Sequence, residues 1–103
     1  MDIQSFQAFI DQYYREKGWA DFNIFIRMGF LSEEVGEVSR AIRSMEIGRD
    51  RPDEPSLTEE EKHHQLVEEL GDVMGNLIVI ANTYDIPLED IFQAHQEKLL
   101  SRT

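Results

Sequence analysis

One acidic hexapeptide occurs twice in this chain, first as Glu33-Glu34-Val35-Gly36-Glu37-Val38 and again, with conservative changes, as Glu68-Glu69-Leu70-Gly71-Asp72-Val73. Each copy lies in a run whose apolar residues recur at spacings of three and four, which predicts an α-helix. Residues three apart share one face of a helix. The sequence therefore predicts two helices that each present a pair of carboxylates: Glu34 with Glu37, and Glu69 with Asp72.

Both carboxylate pairs border the face that their helix is expected to bury. Each residue advances the helix by about 100°, which places the pairs beside the apolar residues Phe30, Val38, Ala41 and Met45 in one helix and Leu66, Val73 and Ile80 in the other. Carboxylates that lose water and repel one another need protons or a cation. Oxygen ligands favour Mg²⁺, with Mn²⁺ as a substitute, over zinc.

The two motifs, Glu34-x-x-Glu37 and Glu69-x-x-Asp72, resemble the signature of the MazG-type all-α nucleoside triphosphate pyrophosphohydrolases. The resemblance extends from about Trp19 to about Lys98, although the segment 39–67 is longer than the family's commonest spacing. It implies an all-α, four-helix MazG-like bundle whose two long central helices carry the motifs. It also implies hydrolysis of a normal or modified (d)NTP to the monophosphate and pyrophosphate, a reaction that cleans the nucleotide pool.

The resemblance assigns the catalytic roles as well. Glu34, Glu37, Glu69 and Asp72 are expected to be the metal ligands. Glu34 and Glu37 are expected to be catalytic, with Glu37 as the first choice for the general base. Neither a glycine-rich phosphate loop nor a Ser/His/Asp set is visible, so bound Mg²⁺ would supply the electrophile.

Four further residues are candidates for substrate binding, each with an alternative. Arg27 lies two turns before Glu34 and could reach a phosphate or a carboxylate of the motif. Asn76, four residues after Asp72, could hold a metal-bound water or a sugar hydroxyl, or be a satisfied buried amide. Lys98 could contact a phosphate, since several members of the family that the chain resembles place a basic side chain there, or it could be exposed. Trp19 could stack on a base or pack among aromatic residues.

The acidic motifs also fit other interpretations. Arg40, three residues after Glu37, would fit a solvated acidic face. Glu60-x-x-His63 and Glu61-x-x-His64 match the unit of di-iron bundles, which also require a second such unit that this chain lacks. A non-catalytic helical module that binds a nucleotide or a metal and acts through protein interaction is the alternative function. A subunit that needs a second chain to complete its site is a third.

Length and composition limit the class of protein. The 103 residues predict one domain, 1–103, near the size at which a single core is stable. No cysteine, signal peptide or membrane-length apolar run is visible, so we expect a cytoplasmic protein. A net charge of −11 argues against nucleic-acid polymers and membranes as partners. The expected partners are a nucleoside triphosphate and further copies of the chain, as a homodimer or homotetramer.

The periodicity predicts four helices, at 2–17, 22–45, 59–83 and 87–101, with a polar loop at 48–57. Asp21 is expected to cap the second helix, and Thr58 with Glu61 to form a capping box that begins the third. Gly36 and Gly71 face away from the carboxylates. They predict either close backbone approach at a subunit contact or tolerated exposed glycines.

Overall fold

The computed structural model describes residues 1–48, 52–53 and 56–102, and over these residues the chain is all-α, without a strand. Its elements are α1 (Ile3–Glu16), a short 3-10 helix (Trp19–Asp21), α2 (Ile24–Ile47), α3 (Glu59–Thr83) and α4 (Leu88–Leu100). The all-α class and the four helices are confirmed. No helix in the described part combines the length and apolarity needed to cross a membrane.

The helix ends follow from local signals, with one correction. Gly18, which follows the C-cap residue Lys17 of α1, adopts a left-handed φ of 76°, a conformation in which glycine commonly ends a helix. Asp21, however, does not cap the second helix, because it is the last residue of the 3-10 helix and α2 begins only at Ile24. A capping side chain must lie directly before the first helical turn. Phe22 and Asn23 lie between Asp21 and Ile24, so Asp21 is not in that position.

The start of α3 has the predicted capping box. The Thr58 amide donates to Glu61 Oε1 at 2.9 Å, and the Glu61 amide donates to Thr58 Oγ1 at 3.1 Å. α4 begins one residue later than predicted, since Pro87 has extended backbone (φ −65°, ψ 140°) and precedes the first helical residue. Of the predicted loop, residues 49–51 and 54–55 lie outside the described residues.

The chain divides into two compact units, one formed by Met1–Ile24 with Leu77–Thr103 and the other by Phe25–Asn76. The first unit contains the hydrophobic core, which consists of Ile10, Ile78, Val79, Ala81 and Leu88 with Phe6 and Tyr14 packed against it. In the second unit, the buried residues of the described part are Arg27, Ala41, Gly75 and Asn76. Over its described residues, that unit therefore has no large apolar side chain that is fully withdrawn from water.

A glutamine in α1 joins three parts of the first unit. Gln7 Nε2 donates to Asn82 Oδ1 and to the carbonyl of Ile86, each at 2.9 Å, and Gln7 Oε1 accepts from the amide of Leu88 at 2.9 Å. The Leu88 amide belongs to the first turn of α4, where helices leave donors without partners. Gln7 thus fixes the α3–α4 turn, in which Asp85 has a positive φ of 56°.

Candidate metal centre

Within the unit Phe25–Asn76, α2 and α3 run antiparallel. Arg27 of α2 contacts Asn76 of α3 through a 2.9 Å hydrogen bond. Further along α2, Glu34 lies beside Glu69 and Asp72, which precede Asn76 in α3. Contacts that advance along one helix while retreating along the other require opposite directions, so the two acidic motifs face each other across the pair.

Three of the four predicted ligands come together in this structure. Glu34, Glu69 and Asp72 each offer a carboxylate oxygen, and the three oxygens lie within 4.8 Å of one another. We refer to these three residues as the acidic cluster. Glu34 and Glu69 are half-buried, whereas Asp72 is exposed. Glu37 is exposed and is not a member of this group.

The electrostatics of the acidic cluster favour a compensating cation. Burial raises the pKa of Glu34, and the charges of Asp72, Glu69, Glu37 and Glu33 raise it further. Burial also raises the pKa of Glu69, followed by the charges of Asp72, Glu37 and Glu68. Glu37 is thus close enough to act on both half-buried carboxylates. Proton uptake relieves such repulsion in the absence of another positive charge.

The helix pair has an acidic side and an apolar side. In an antiparallel pair, residues rotated equally from the facing line lie on the same side. Glu33, Glu37, Glu68 and Asp72 are rotated about 60–100° one way from the line of Glu34 and Glu69. Rotation by about 80–160° the other way leads to a side with six exposed apolar residues, which we call the apolar side: Met28, Val35, Ile42, Val67, Leu70 and Met74. The polar residues Ser32, Ser39, Glu46 and His63 lie in the same range of rotation.

The candidate substrate residues Arg27 and Asn76 are buried and bonded to each other. Arg27 is 6% exposed and Asn76 is 7% exposed. Besides accepting from Arg27, Asn76 donates from Nδ2 to the carbonyl oxygen of Asp72 at 2.9 Å. The Arg27 guanidinium carbon also lies 5.4 Å from the ring centre of Phe30. Asn76 is therefore a satisfied buried amide, one of the two alternatives that the sequence leaves open.

The other two candidates, Trp19 and Lys98, belong to the unit formed by Met1–Ile24 and Leu77–Thr103. Trp19 is 44% exposed and packs edge-on against Tyr14, with ring centres 5.4 Å apart. Lys98 is an exposed residue in the last turn of α4. Their assignment as substrate contacts stays a prediction.

Gln65, which the sequence motifs do not single out, lies one turn before Glu69 on the same face of α3. Its Oε1 is buried and has no hydrogen-bond partner. The row Gln65, Glu69, Asp72, Asn76 follows the helical spacing of four, three and four. This spacing is the sequence feature that could have indicated Gln65. It is not specific, because a glutamine one turn before a carboxylate is equally expected on an ordinary helix surface.

The histidines take no part in the acidic cluster. His64 Nε2 lies 2.8 Å from Glu68 Oε1 in an exposed pair. Among the described residues, no His joins a group of three ligands that could hold a metal. The acidic cluster therefore has an oxygen-only ligand set, which suits a hard divalent cation such as Mg²⁺ or Mn²⁺.

Comparison with known proteins identifies the family. The model of the MazG nucleotide pyrophosphohydrolase domain matches residues 27–103. The Bacillus subtilis (strain 168) protein YvdC, described as uncharacterised, is 46% identical over 102 residues, which cover 99% of this chain and 96% of YvdC. YpjD of the same strain is 31% identical over 101 residues, which cover 97% of this chain and 85% of YpjD.

A solved structure supports the same relationship. The crystal structure of B. subtilis YpjD, provisionally described as a pyrophosphatase, matches this fold with a TM-score of 0.76 at 26% identity. The match covers 100% of this chain and 97% of that one. The acidic cluster, the all-α fold and these similarities lead to one conclusion: the chain belongs to the MazG family of nucleotide pyrophosphohydrolases, hydrolases that act on the phosphoanhydride bonds of nucleotides.

Proposed function

We propose that this protein is a Mg²⁺-dependent nucleoside triphosphate pyrophosphohydrolase that converts a (d)NTP or a modified NTP to the monophosphate and pyrophosphate, with Mn²⁺ as an alternative cation. The observation that carries the proposal is the acidic cluster, whose three carboxylate oxygens lie within 4.8 Å of one another in a MazG chain. Hydrolysis between the α and β phosphorus atoms would remove unwanted triphosphates from the nucleotide pool.

The chain's own residues divide the work in this proposal. Glu34, Glu69 and Asp72 hold the cation, since their oxygens converge and since burial, followed by the repulsion of neighbouring carboxylates, raises the pKa of both glutamates, so that a positive charge there would be stabilising. A bound divalent cation would neutralise the phosphate oxygens of the substrate and polarise its triphosphate group for attack by water. Glu37, exposed beside the acidic cluster and electrostatically coupled to it, is the proposed base that accepts the proton of the attacking water.

We also propose that the active form contains at least two copies of the chain, as a homodimer or homotetramer. The apolar side of the α2–α3 pair is broadly exposed: its residues retain 46–53% of their surface. Among the described residues of the unit that presents it, Ala41 is the only buried apolar side chain. A second copy of the same apolar side would supply the missing core through a symmetric contact.

Gly36 and Gly71 fit this arrangement. Both are exposed, and a Cβ added to either glycine would meet nothing within 4 Å among the residues that the structure describes. Neither glycine is therefore needed for packing within one copy. Close backbone approach of a second copy would give their lack of a side chain a physical reason.

The enzymatic proposal is tested by measuring pyrophosphate release from ribo-, deoxyribo- and modified triphosphates with Mg²⁺ or Mn²⁺. Asp72→Asn is nearly isosteric and removes one ligand charge. Changes to residues that merely hold metal ligands already cost about 10–100-fold, so we expect a loss of about 100-fold or more. Glu60→Gln makes the same charge change on an exposed residue on the opposite face of α3 and should keep wild-type activity.

Two outcomes would contradict the proposal. Wild-type turnover by Asp72→Asn would remove Asp72 from the metal ligands. The absence of pyrophosphate release from every triphosphate would exclude the hydrolase. If nucleotides then still raised the melting temperature, the result would favour the non-catalytic binding module instead.

A further inference from the structure

Arg27 is a buried cation with a defined partner. It retains 6% of its surface, and its Nη1 donates to Asn76 Oδ1 at 2.9 Å. The guanidinium carbon lies 5.4 Å from the centre of the Phe30 ring. A charged group withdrawn from water must be compensated by hydrogen bonds and neighbouring charge. These contacts hold the Arg27 side chain inside the helix pair. A side chain that binds a phosphate would instead have to be accessible from the solvent.

Asn76 extends the contact into the backbone of α3. Its Oδ1 accepts from Arg27, and its Nδ2 donates to the carbonyl oxygen of Asp72 at 2.9 Å. Both ends of the carboxamide are thereby used. A chain of hydrogen bonds runs from the α2 side chain of Arg27 through Asn76 to the turn of α3 that begins at Asp72, a member of the acidic cluster.

The acidic cluster depends on how α2 and α3 are aligned, because Glu34 comes from α2 whereas Glu69 and Asp72 come from α3. Mg²⁺ requires ligand distances of about 2.0–2.1 Å in near-ideal octahedral geometry. A slide of α2 along α3 would separate Glu34 from the other two carboxylates. Arg27 lies seven residues before Glu34 on the same face of α2, so its bond to Asn76 opposes that slide.

We propose that Arg27 and Asn76 are positioning residues, which hold the Asp72 turn of α3 in register with Glu34 of α2 for cation binding and do not contact the substrate. This inference rests on the proposed metal-dependent function. It differs from direct phosphate binding in a measurable way, because positioning acts on cation affinity before any nucleotide is present.

The test compares Asn76→Leu, Arg27→Met and the double variant Arg27→Met/Asn76→Leu. Asn76→Leu leaves the buried guanidinium without this partner, so the metal-free protein should melt at a lower temperature. The double variant replaces both polar groups by apolar side chains of similar size, which is often well tolerated. We therefore expect its melting temperature to return towards that of the wild type, while its affinity for Mn²⁺, measured without nucleotide, stays about 10–100-fold lower.

Arg27→Lys serves as a milder variant in case the others fail to fold. It retains the charge but loses the planar fork of the guanidinium. We expect weaker Mn²⁺ binding, a kcat that recovers at saturating Mn²⁺ and an unchanged KM for the nucleotide. Arg15→Met, which breaks an exposed pair with Asp11 in α1, is the matched control and should change neither Mn²⁺ affinity nor KM.

Each contrary result has a distinct meaning. A double variant that regains both wild-type stability and wild-type Mn²⁺ affinity would show that the pair is purely structural and would overturn the inference. A raised KM with unchanged Mn²⁺ affinity in Arg27→Lys would overturn it in favour of a phosphate contact. If the wild type itself bound no Mn²⁺, the proposed metal site would fail together with the inference, whereas equal binding by the wild type and the double variant would overturn the inference alone.

Discussion

Glu34 shows at the scale of one residue how the acidic cluster affects stability without a cation. Its pKa is raised above the ordinary value of 4.5, mainly by burial and then by neighbouring carboxylates. The folded protein therefore binds this proton more tightly than the unfolded chain does. The corresponding stabilisation is fully present below pH 4.5 and is lost as the pH rises through the raised pKa. The same sign holds for Glu69, whose pKa is also raised.

We predict that Glu34→Gln stabilises the metal-free protein at neutral pH. Glutamine cannot ionise, so the variant avoids both the desolvated charge and its repulsion by Asp72 and Glu69. The expected rise in melting temperature is about 2–5 °C. Below pH 4.5, where wild-type Glu34 is itself protonated, the difference should disappear. Differential scanning calorimetry across this pH range measures both effects.

The quantity to compare is the change in melting temperature between Glu34→Gln and the wild type at each pH, because other carboxylates also change the stability of both proteins with pH. Asp2 and Glu61 have lowered pKa values because backbone amides of Ser5 and Thr58, respectively, donate to them, so their stabilisation is lost as the pH falls. Glu60→Gln should show no comparable pH-dependent gain. With Mn²⁺ added, the wild type should melt at a higher temperature than Glu34→Gln, because only the wild type keeps the full set of metal ligands. A metal-free Glu34→Gln protein that is less stable at neutral pH would contradict the electrostatic account.

The spacing of the two motifs was sufficient to predict which carboxylates share a face, because positions three apart on a helix are neighbours whatever the tertiary context. It was insufficient to predict that the oxygens of Glu34, Glu69 and Asp72 would converge without Glu37. That outcome depends on side-chain rotamers and on the exact rotation of each helix. Likewise, spacing placed Asn76 on the right face but could not decide that Arg27 would be its partner.

At the scale of the elements, the sequence predicts what is local. The capping box of Thr58 and Glu61 spans three residues, so its contacts could be read from the pattern alone. The hydrogen bonds of Gln7, which we call the Gln7 clamp, join α1 to residues more than seventy positions away. No local pattern distinguishes Gln7 from the other glutamines of α1. The local sequence pattern does not reveal the 3-10 helix Trp19–Asp21, and for this reason the predicted capping role of Asp21 is wrong.

We predict that Gln7→Leu destabilises the first unit by leaving the Leu88 amide without its acceptor. An unsatisfied, partly buried amide costs about 1–3 kcal/mol, which corresponds to a fall in melting temperature of about 4–8 °C for each kcal/mol. Gln12→Leu is the matched control on the same helix, since Gln12 is exposed and donates from Nε2 to Glu16 Oε1 at 3.1 Å within α1. Thermal denaturation of the two variants side by side makes the comparison. Equal melting temperatures would mean that the clamp contributes nothing.

At the scale of the whole molecule, burial is unevenly distributed. The unit Met1–Ile24 with Leu77–Thr103 contains the hydrophobic core, whereas the unit Phe25–Asn76, which carries the acidic cluster, exposes the apolar side of its helix pair. The apolar residues of the second helix, from Phe22 to Met45, form a broad band, and this sequence pattern predicts contact on more than one side of the helix. It could not show which apolar residues remain exposed, because one helix face does not reveal how many neighbours will cover it.

We predict that the wild type is at least dimeric at tens of micromolar and that Leu70→Lys, in the middle of the apolar side, makes it monomeric. A lysine there would bring two like charges together in the contact and leave them poorly hydrated. Because association stabilises the folded state by mass action, the melting temperature of the wild type should rise with protein concentration, whereas that of the variant should not. Ile47→Lys adds the same charge at the exposed end of α2, outside the apolar side, and should remain associated. Light scattering measures the mass of each protein in solution. If the wild type is a monomer, or if Leu70→Lys has the same mass as an associated wild type, the apolar side does not join two copies.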